Sequence, residues 1–241
     1  MSNSKIVYWW LLILFMANGW WCCYCCWNEE TTALLQLKAN INYSTGNAYL
    51  SSWVANETSD CCQWEGIVCS NITRRVIELS ITAKKISQEE QLSTNGTYTD
   101  DILKNWLFDA SLFVPFKNLK ALLLPGHSLA GWVKNEGFEK LRRLRKLEVL
   151  DLSGNNFNRS IFESSSQLSS LKSLNLSHNQ IGSGSERLSG LGKLEILDLS
   201  YNNLEDENVL SALELNTSRM ALKKLDIRNN RFQSFIPNEE L

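Results

Sequence analysis

The chain has 241 residues, with 24 Lys and Arg against 26 Asp and Glu for a formal net charge of -2. That balance gives no long-range attraction to a polyanion as large as nucleic acid and argues against nucleic acid as a partner. Seven Cys and nine Trp, with 44% hydrophobic and only 21% charged residues, describe a folded chain of extracellular type.

In chain order, Lys5 precedes an unbroken apolar stretch from Ile6 to Met16, followed by the small residues Ala17 and Gly19. This is the charged, apolar, small-residue order of a secretory signal. WWCCYCCW, Trp20 to Trp27, lengthens the apolar run to about 22 residues, enough to cross a bilayer of roughly 30 Å as a helix. Residues 1–23 are therefore read as a signal peptide or a signal anchor, with cleavage near Trp20 to Tyr24 suiting the cysteines that come after it. In either form Lys5 on one side and Glu29 and Glu30 on the other place the rest of the chain outside the cytosol, by way of the secretory pathway.

Residues 24–75 read as an N-terminal cap. Cys61, Cys62 and Cys69 lie in DCCQWEGIVCS, and Cys22, Cys23, Cys25 and Cys26 lie around the cleavage region. Two bridges are the natural count. The adjacent pair does not easily join to itself, so one member reaches back across 27–60 and the other forward to Cys69. Loops of those sizes contribute about 4 and 2.5 kcal/mol on the chain-entropy account. A zinc site is the rival reading of clustered cysteines, but only two His exist and a secreted chain oxidises its thiols. No metal or cofactor is expected. Leu34, Leu37 and Ile41 recur at helical spacing and predict a short amphipathic helix covering the open end of the domain that begins at residue 76, with Trp53 and Trp64 filling the space beneath it. Residues 82–115 read as an insertion, whose polar stretch from Ile81 to Asp101 suits an exposed loop or irregular hairpin.

From Leu119 to Phe232 one eleven-residue phrase occurs five times: LKALLLPGHSL, LEVLDLSGNNF, LKSLNLSHNQI, LEILDLSYNNL and LKKLDIRNNRF, with starts 28, 24, 23 and 28 residues apart. Apolar residues hold phrase positions 1, 4, 6 and 11 every time, and Asn155, Asn179, Asn202 and Asn230 hold position 9. This is the leucine-rich repeat. It predicts an α/β solenoid over 76–241, with a curved parallel sheet on its concave face: a first, irregular repeat carrying the insertion 82–115, then five regular ones. Positions 4 and 6 alternate as a short strand does, so Leu150 with Leu152 and Leu174 with Leu176 point to the core. One repeat cannot bury its apolar edge alone, so stability comes from stacking. The position-9 Asn is expected to bond the backbone of neighbouring turns, and His127 in its place predicts a weaker ladder in the first phrase. The basic run from Lys140 to Lys146, with Leu141 and Leu144 at helical spacing, reads as a solvated helix on the outer face.

EETTALLQL from Glu29 to Leu37, YLSSW ending at Trp53, DCCQWEGIVC, and RRVIELSI from Arg74 to Ile81 together resemble the N-terminal cap of plant leucine-rich repeat receptors, closest to the kinase-less receptor-like proteins. WLFDASLFVPFKNLKALLL and LAGWVKNEGFEKLRRLRKLEVLDLSGNNF are similar to that family's first repeats, so the likeness covers nearly all of the mature chain. In the family a cysteine seven residues before the cap-helix Ala, here Cys26 before Ala33, pairs with the first of the double Cys. The resemblance thus implies Cys26 with Cys61 and Cys62 with Cys69, and assigns nothing to Cys22, Cys23 and Cys25. It also implies perception of a protein or peptide ligand in plant defence or development, in the apoplast or at the plasma membrane, with a receptor-kinase co-receptor carrying the signal onward. Such receptors continue through many more repeats to a membrane helix. Here Phe235, Ile236 and Pro237 open another repeat element, and the sequence stops at Leu241 with no cysteine-bearing cap. Membrane attachment would need the uncleaved N-terminal segment or a C-terminal helix that is missing. Two alternatives stand beside this reading. One is a short secreted decoy or cell-wall-hydrolase inhibitor, similar to the polygalacturonase-inhibiting proteins. The other is a non-functional truncated receptor fragment, with an open core edge at Leu225 and Ile227.

Binding is expected on the concave strand face. Its outward residues are Ala121, Leu123 and Pro125, then Val149, Asp151 and Ser153, then Ser173, Asn175 and Ser177, then Ile196, Asp198, Ser200 and Tyr201, then Lys224, Asp226, Arg228 and Asn229. The candidate ligand-binding set is Asp151, Ser173, Asn175, Asp198, Tyr201, Lys224, Asp226 and Arg228. Tyr201 and Arg228, on adjacent repeats, are types that favour binding hot spots. The column Asp151, Asp198 and Asp226 is read first as structural or solvated, because LDLS is common wording in this repeat. Sequons stand at Asn42, Asn56, Asn71, Asn95, Asn158, Asn175 and Asn216; a glycan on Asn175, between Leu174 and Leu176, would block ligand approach. Catalysis has no support: nucleophile elbow, phosphate loop and metal-ligand spacing are all missing. His127 and His178, at positions 9 and 8, suit turn and surface roles.

Overall fold

The computed structural model describes residues 26–45, 50–56, 59–82, 106–133, 137–162, 168–182, 191–205 and 221–232. Among them run helix α1 (Asn28–Thr45), strands β1 (Ile67–Cys69), β2 (Val76–Ser80), β3 (Trp106–Phe108), β4 (Ala121–Leu123) and β5 (Leu129–Trp132), and the short helix α2 (Gly137–Leu141). Strands β6 (Val149–Asp151), β7 (Ser173–Asn175), β8 (Ile196–Asp198) and β9 (Lys224–Asp226) complete the order.

One sheet takes the order β1-β2-β4-β6-β7-β8-β9, antiparallel between β1 and β2 and parallel from β2 onward. Its register is the register of the phrase: Leu79, Leu122, Leu150, Leu174, Leu197 and Leu225 lie side by side at position 4. Position 6 (Ile81, Leu124, Leu152, Leu176, Leu199) and position 1 (Leu119, Leu147, Leu171, Leu194) are buried with them. Each such side chain contributes about 1.5–3 kcal/mol over its exposed state, and it does so only because a neighbouring repeat supplies the other wall. In the β9 repeat Leu222, Leu225 and Ile227 are only half-buried.

Position 9 stitches the turns together. The Asn155 amide nitrogen donates to the carbonyls of Leu124 in the preceding repeat and Leu152 in its own, both at 2.9 Å. Asn179, Asn202 and Asn230 repeat this with Leu152 and Leu176, Leu176 and Leu199, and Leu199 and Ile227. Each side-chain oxygen accepts the position-11 N–H of the preceding repeat: Leu129, Phe157, Ile181 and Leu204 in turn. His127 occupies the same place. Its Nε2 lies 2.8 Å from the Ile81 carbonyl, which can only accept, so Nε2 carries the proton. Burial pushes the imidazole pKa down, against that bond, and keeps the ring neutral. The ladder therefore continues through the first phrase, with a ring N–H where the others have an amide.

The cap closes the other end. Ala33, Leu34, Leu37 and Ile41 of α1 are buried, and Trp53 stacks on Trp64 with ring centroids 5.7 Å apart. Disulfides join Cys26 to Cys61 and Cys62 to Cys69, the pairing implied by the resemblance. The sulfurs of Cys26, Cys61 and Cys62 cluster but are covalently committed, so they are not thiolate ligands. Asp60 holds the junction: its Oδ1 accepts the N–H groups of Cys26 and Cys62, and its Oδ2 pairs with Arg74. Glu30 is fully buried, accepting the Val76 N–H at 3.1 Å and facing Arg75 at 3.4 Å. Burial pushes its carboxyl up, while those two partners pull it down. Arg75 in turn lies 3.5 Å over the Trp27 ring.

One segment adds to the sequence reading and another differs from it. Within 82–115, residues from Trp106 onward are folded: β3 pairs in parallel with β5 as a second small sheet, and Phe108 stacks on Phe113 in the core. Residues 83–105 of that stretch lie outside the described residues. The basic run is mostly turn, because α2 stops at Leu141. Leu141, Leu144 and Leu147 are nonetheless buried, so the leucine spacing reports burial correctly and the helix wrongly. Residues 1–25, with Cys22, Cys23 and Cys25, lie outside the described residues. Among the described residues no helix is long and apolar enough to cross a membrane.

Candidate functional site

On the concave face, phrase position 5 forms a polar column of Asp151, Asn175, Asp198 and Asp226. Each side-chain oxygen accepts the backbone N–H two residues on, at Ser153, Ser177, Ser200 and Arg228, over 2.8–3.1 Å. This is a side-chain turn that bends the chain out of the strand. Ser177 and Ser200 add hydroxyl bonds to the same oxygens and are themselves buried, so these two serines offer nothing to a ligand. Asn175 also donates to Asp151 Oδ2 at 3.1 Å. The structural role of the aspartates is thus visible in the geometry. Ser173 stands half-buried beside Val149 and Ile196 at position 3, with exposed Lys224 in register beyond Ile196.

Position 8 is the feature that sequence reasoning missed. Gly126, Gly154, His178, Tyr201 and Asn229 all have positive φ, from 53° to 78°. In each of the first four the N–H donates to the position-7 carbonyl of the next repeat: Ser153, Ser177, Ser200 and Arg228 at 2.9 Å. The ladder thus extends beyond the strands, and two Gly and one Asn in register were the signal for it. At His178 and Tyr201 the strained backbone presents two large rings. They stack at 4.1 Å with 10° between planes.

Tyr201 is 49% exposed and Ile196 41%. Arg228, on the next repeat, has a side chain 78% exposed and forks onto Asp226 through Nη2 at 2.7 Å and Nε at 3.0 Å. That guanidinium holds the Asp226 carboxyl down at about 2, and the carboxylate raises the Arg228 pKa in return. The hot-spot candidates therefore lie together, but Arg228 arrives already paired. Before the strands, position 2 alternates Lys120, Glu148, Lys172, Glu195 and Lys223, with pairs Lys172–Glu148 at 3.0 Å and Lys223–Glu195 at 2.8 Å. Lys223 holds the Glu195 carboxyl below its usual range. Of the sequon residues, Asn56, Asn71 and Asn158 are exposed, Asn175 is half-buried and Asn42 lies in α1. Asn95 and Asn216 lie outside the described residues.

The sequence matches the leucine rich repeat N-terminal domain over residues 28–70, two copies of the leucine rich repeat over 169–213, and single repeats over 146–168 and 221–239. Cuscuta receptor 1 of Solanum lycopersicum is 42% identical over 130 residues, covering 53% of this chain and 10% of that protein. Receptor-like protein 15 of Arabidopsis thaliana is 34% identical over 156 residues, covering 64% and 14%. The chain belongs to the plant leucine-rich repeat receptor-like proteins. It spans 10% and 14% of the length of these two relatives. Among solved structures, a pollen receptor kinase 3 superposes with TM-score 0.53 at 18% identity, over 86% of this chain and 98% of that one. That likeness concerns the fold. This receptor-like chain shares the solenoid with it and keeps its own surface.

Proposed function

We propose that this receptor-like chain is an extracellular, non-catalytic binding module that takes a protein or peptide ligand on the rim formed by His178, Ile196, Tyr201, Lys224 and Arg228, with Asp226 orienting Arg228. The observation that supports this most is the exposure of a stacked aromatic pair at strained backbone positions, next to a charged Arg228–Asp226 fork. Elsewhere on the face Asp151, Asn175 and Asp198 are committed to their own turns. Aromatic and Arg anchors dominate binding energy in interfaces. The two disulfides fit an oxidising compartment outside the cytosol, and the exposed sequons at Asn56, Asn71 and Asn158 are the ones proposed to carry glycans. Signalling in defence or development, through a receptor-kinase co-receptor, is the role that the relatives named as receptors suggest.

The test is a binding screen of the secreted 241-residue chain against plant extracellular peptides and receptor-kinase ectodomains, by biolayer interferometry. A genuine ligand loses at least about tenfold in affinity with Tyr201→Ala or Arg228→Ala, the range of hot-spot truncations. A ligand that binds both variants as well as the parent overturns the placement of the site.

A further inference from the structure

The loops that lead into the strands carry a second, separate chemistry. Ala121 pairs with Val149, so Lys117 and Arg145, each four residues upstream, hold equivalent places in successive repeats. Together with Arg142 and Arg143 they line a cleft of about 550 Å3. All four are exposed, and among the described residues none has a side-chain hydrogen bond or ion pair. Lys172, Lys223 and Arg228, by contrast, each hold a carboxylate.

The fold sustains this convergence. Leu141, Leu144 and Leu147 are buried and pin the turn, so the backbone that carries Arg142, Arg143 and Arg145 is held in place beside the cleft. Phe116 and Leu119 do the same for Lys117. Four positive charges are therefore carried around one cleft, in a chain whose net charge is -2. A ligand bearing several negative charges complements it.

The lining also selects the class of polyanion. Among the described residues no apolar side chain borders the cleft, so it lacks the apolar centre that a protein interface uses and the apolar wedge that a bilayer accepts. The bridged cysteines indicate an oxidising compartment, where nucleic acid is not the prevailing polyanion. Arginine forks match carboxylate and sulfate groups in bidentate fashion. We infer that the cleft of Lys117, Arg142, Arg143 and Arg145 binds an acidic polysaccharide through its carboxylate or sulfate groups. It lies at the N-terminal ends of the parallel strands, whereas Tyr201 and Arg228 follow their C-terminal ends, so both sites could be occupied together.

The full chain would be titrated with polygalacturonate, heparin and phosphatidylserine-containing vesicles, at low and physiological salt. Three variants accompany it: the triple Arg142→Gln/Arg143→Gln/Arg145→Gln, the single Lys117→Gln from the other loop, and a triple Arg159→Gln/Lys193→Gln/Arg231→Gln that removes equal charge elsewhere. Circular dichroism checks each fold. Binding to either polymer is expected, weakened about tenfold or more by the cleft triple and two- to threefold by Lys117→Gln, with a shallower salt dependence. The distant triple should bind within about twofold of the parent. Preference for polygalacturonate or for heparin identifies carboxylate or sulfate as the recognised group. Three results overturn the inference: no binding to either polymer, equal weakening by the distant triple, or binding to vesicles alone.

Discussion

Asn179→Ala is the sharpest test of how the repeats cohere. The amide of Asn179 donates to Leu152 and Leu176 at 3.0 Å and to Ser177 at 3.1 Å, and its oxygen accepts the Phe157 N–H at 2.9 Å. Truncation affects these four partners unequally. The Leu152 carbonyl keeps the Asn155 amide, Leu176 keeps Asn202, and Ser177 keeps the Gly154 N–H. The Phe157 N–H keeps no other acceptor among the described residues. One orphaned buried donor costs about 1–3 kcal/mol, and the three weakened carbonyls add a fraction each, for a total of about 2–4 kcal/mol. Asn230 makes the same bonds in the half-buried last described repeat, where water can replace them, so Asn230→Ala should cost about 1 kcal/mol. Urea unfolding with an unchanged slope measures both, and amide exchange at Phe157 should accelerate only in the Asn179 variant. The reasoning fails if Asn230→Ala costs as much as Asn179→Ala, or if Phe157 remains equally protected in both.

The same geometry sets two further outcomes. A Cβ on Gly66, at φ +76°, would lie 1.9 Å from the Ser80 carbonyl oxygen, whereas one on Gly154, at φ +64°, meets nothing nearer than 3.5 Å. Gly66→Ala should therefore abolish secretion of folded chain, while Gly154→Ala costs only the left-handed backbone, about 1 kcal/mol, as scored by yield and melting temperature. Arg228→Gln should return the Asp226 carboxyl from about 2 toward the ordinary 3.8, read by NMR titration. Because the folded pKa is the depressed one, the pair's stabilisation is present above the unfolded pKa and is lost as pH falls from about 4 through 2. The variant should lack that part of the acid sensitivity.

The strand core was legible because one period governs it: any residue at positions 1, 4 or 6 has its neighbour's equivalent beside it, so five phrases fix one register. His127 shows the limit. Sequence marks it as a break in the Asn column, yet its ring N–H reaches the Ile81 carbonyl and the ladder goes on. Composition does not reveal that two unlike side chains span one distance. The second sheet was illegible for another reason. Strand β3 has three residues, and Phe108 and Phe113 carry its packing, too short a run to show alternation. The position-2 alternation of Lys and Glu was written plainly in the phrases, but it acquires meaning only once register sets position 2 against position 2.

For the site, the same stacking separates residues that look alike. Asp151, Asp198 and Asp226 share a phrase position, and each caps its own turn. A carboxylate already accepting a backbone N–H has less to gain from a ligand, because binding must exchange one bond for another. The free energy available for recognition therefore concentrates where the repeat pattern is broken: at His178 and Tyr201, large rings in a position that favours Gly, and at Arg228, the charged member of the position that is otherwise Pro or Ser. In a periodic scaffold the regular residues build the surface, and departures at solvent-facing positions give one stretch of it a distinct identity.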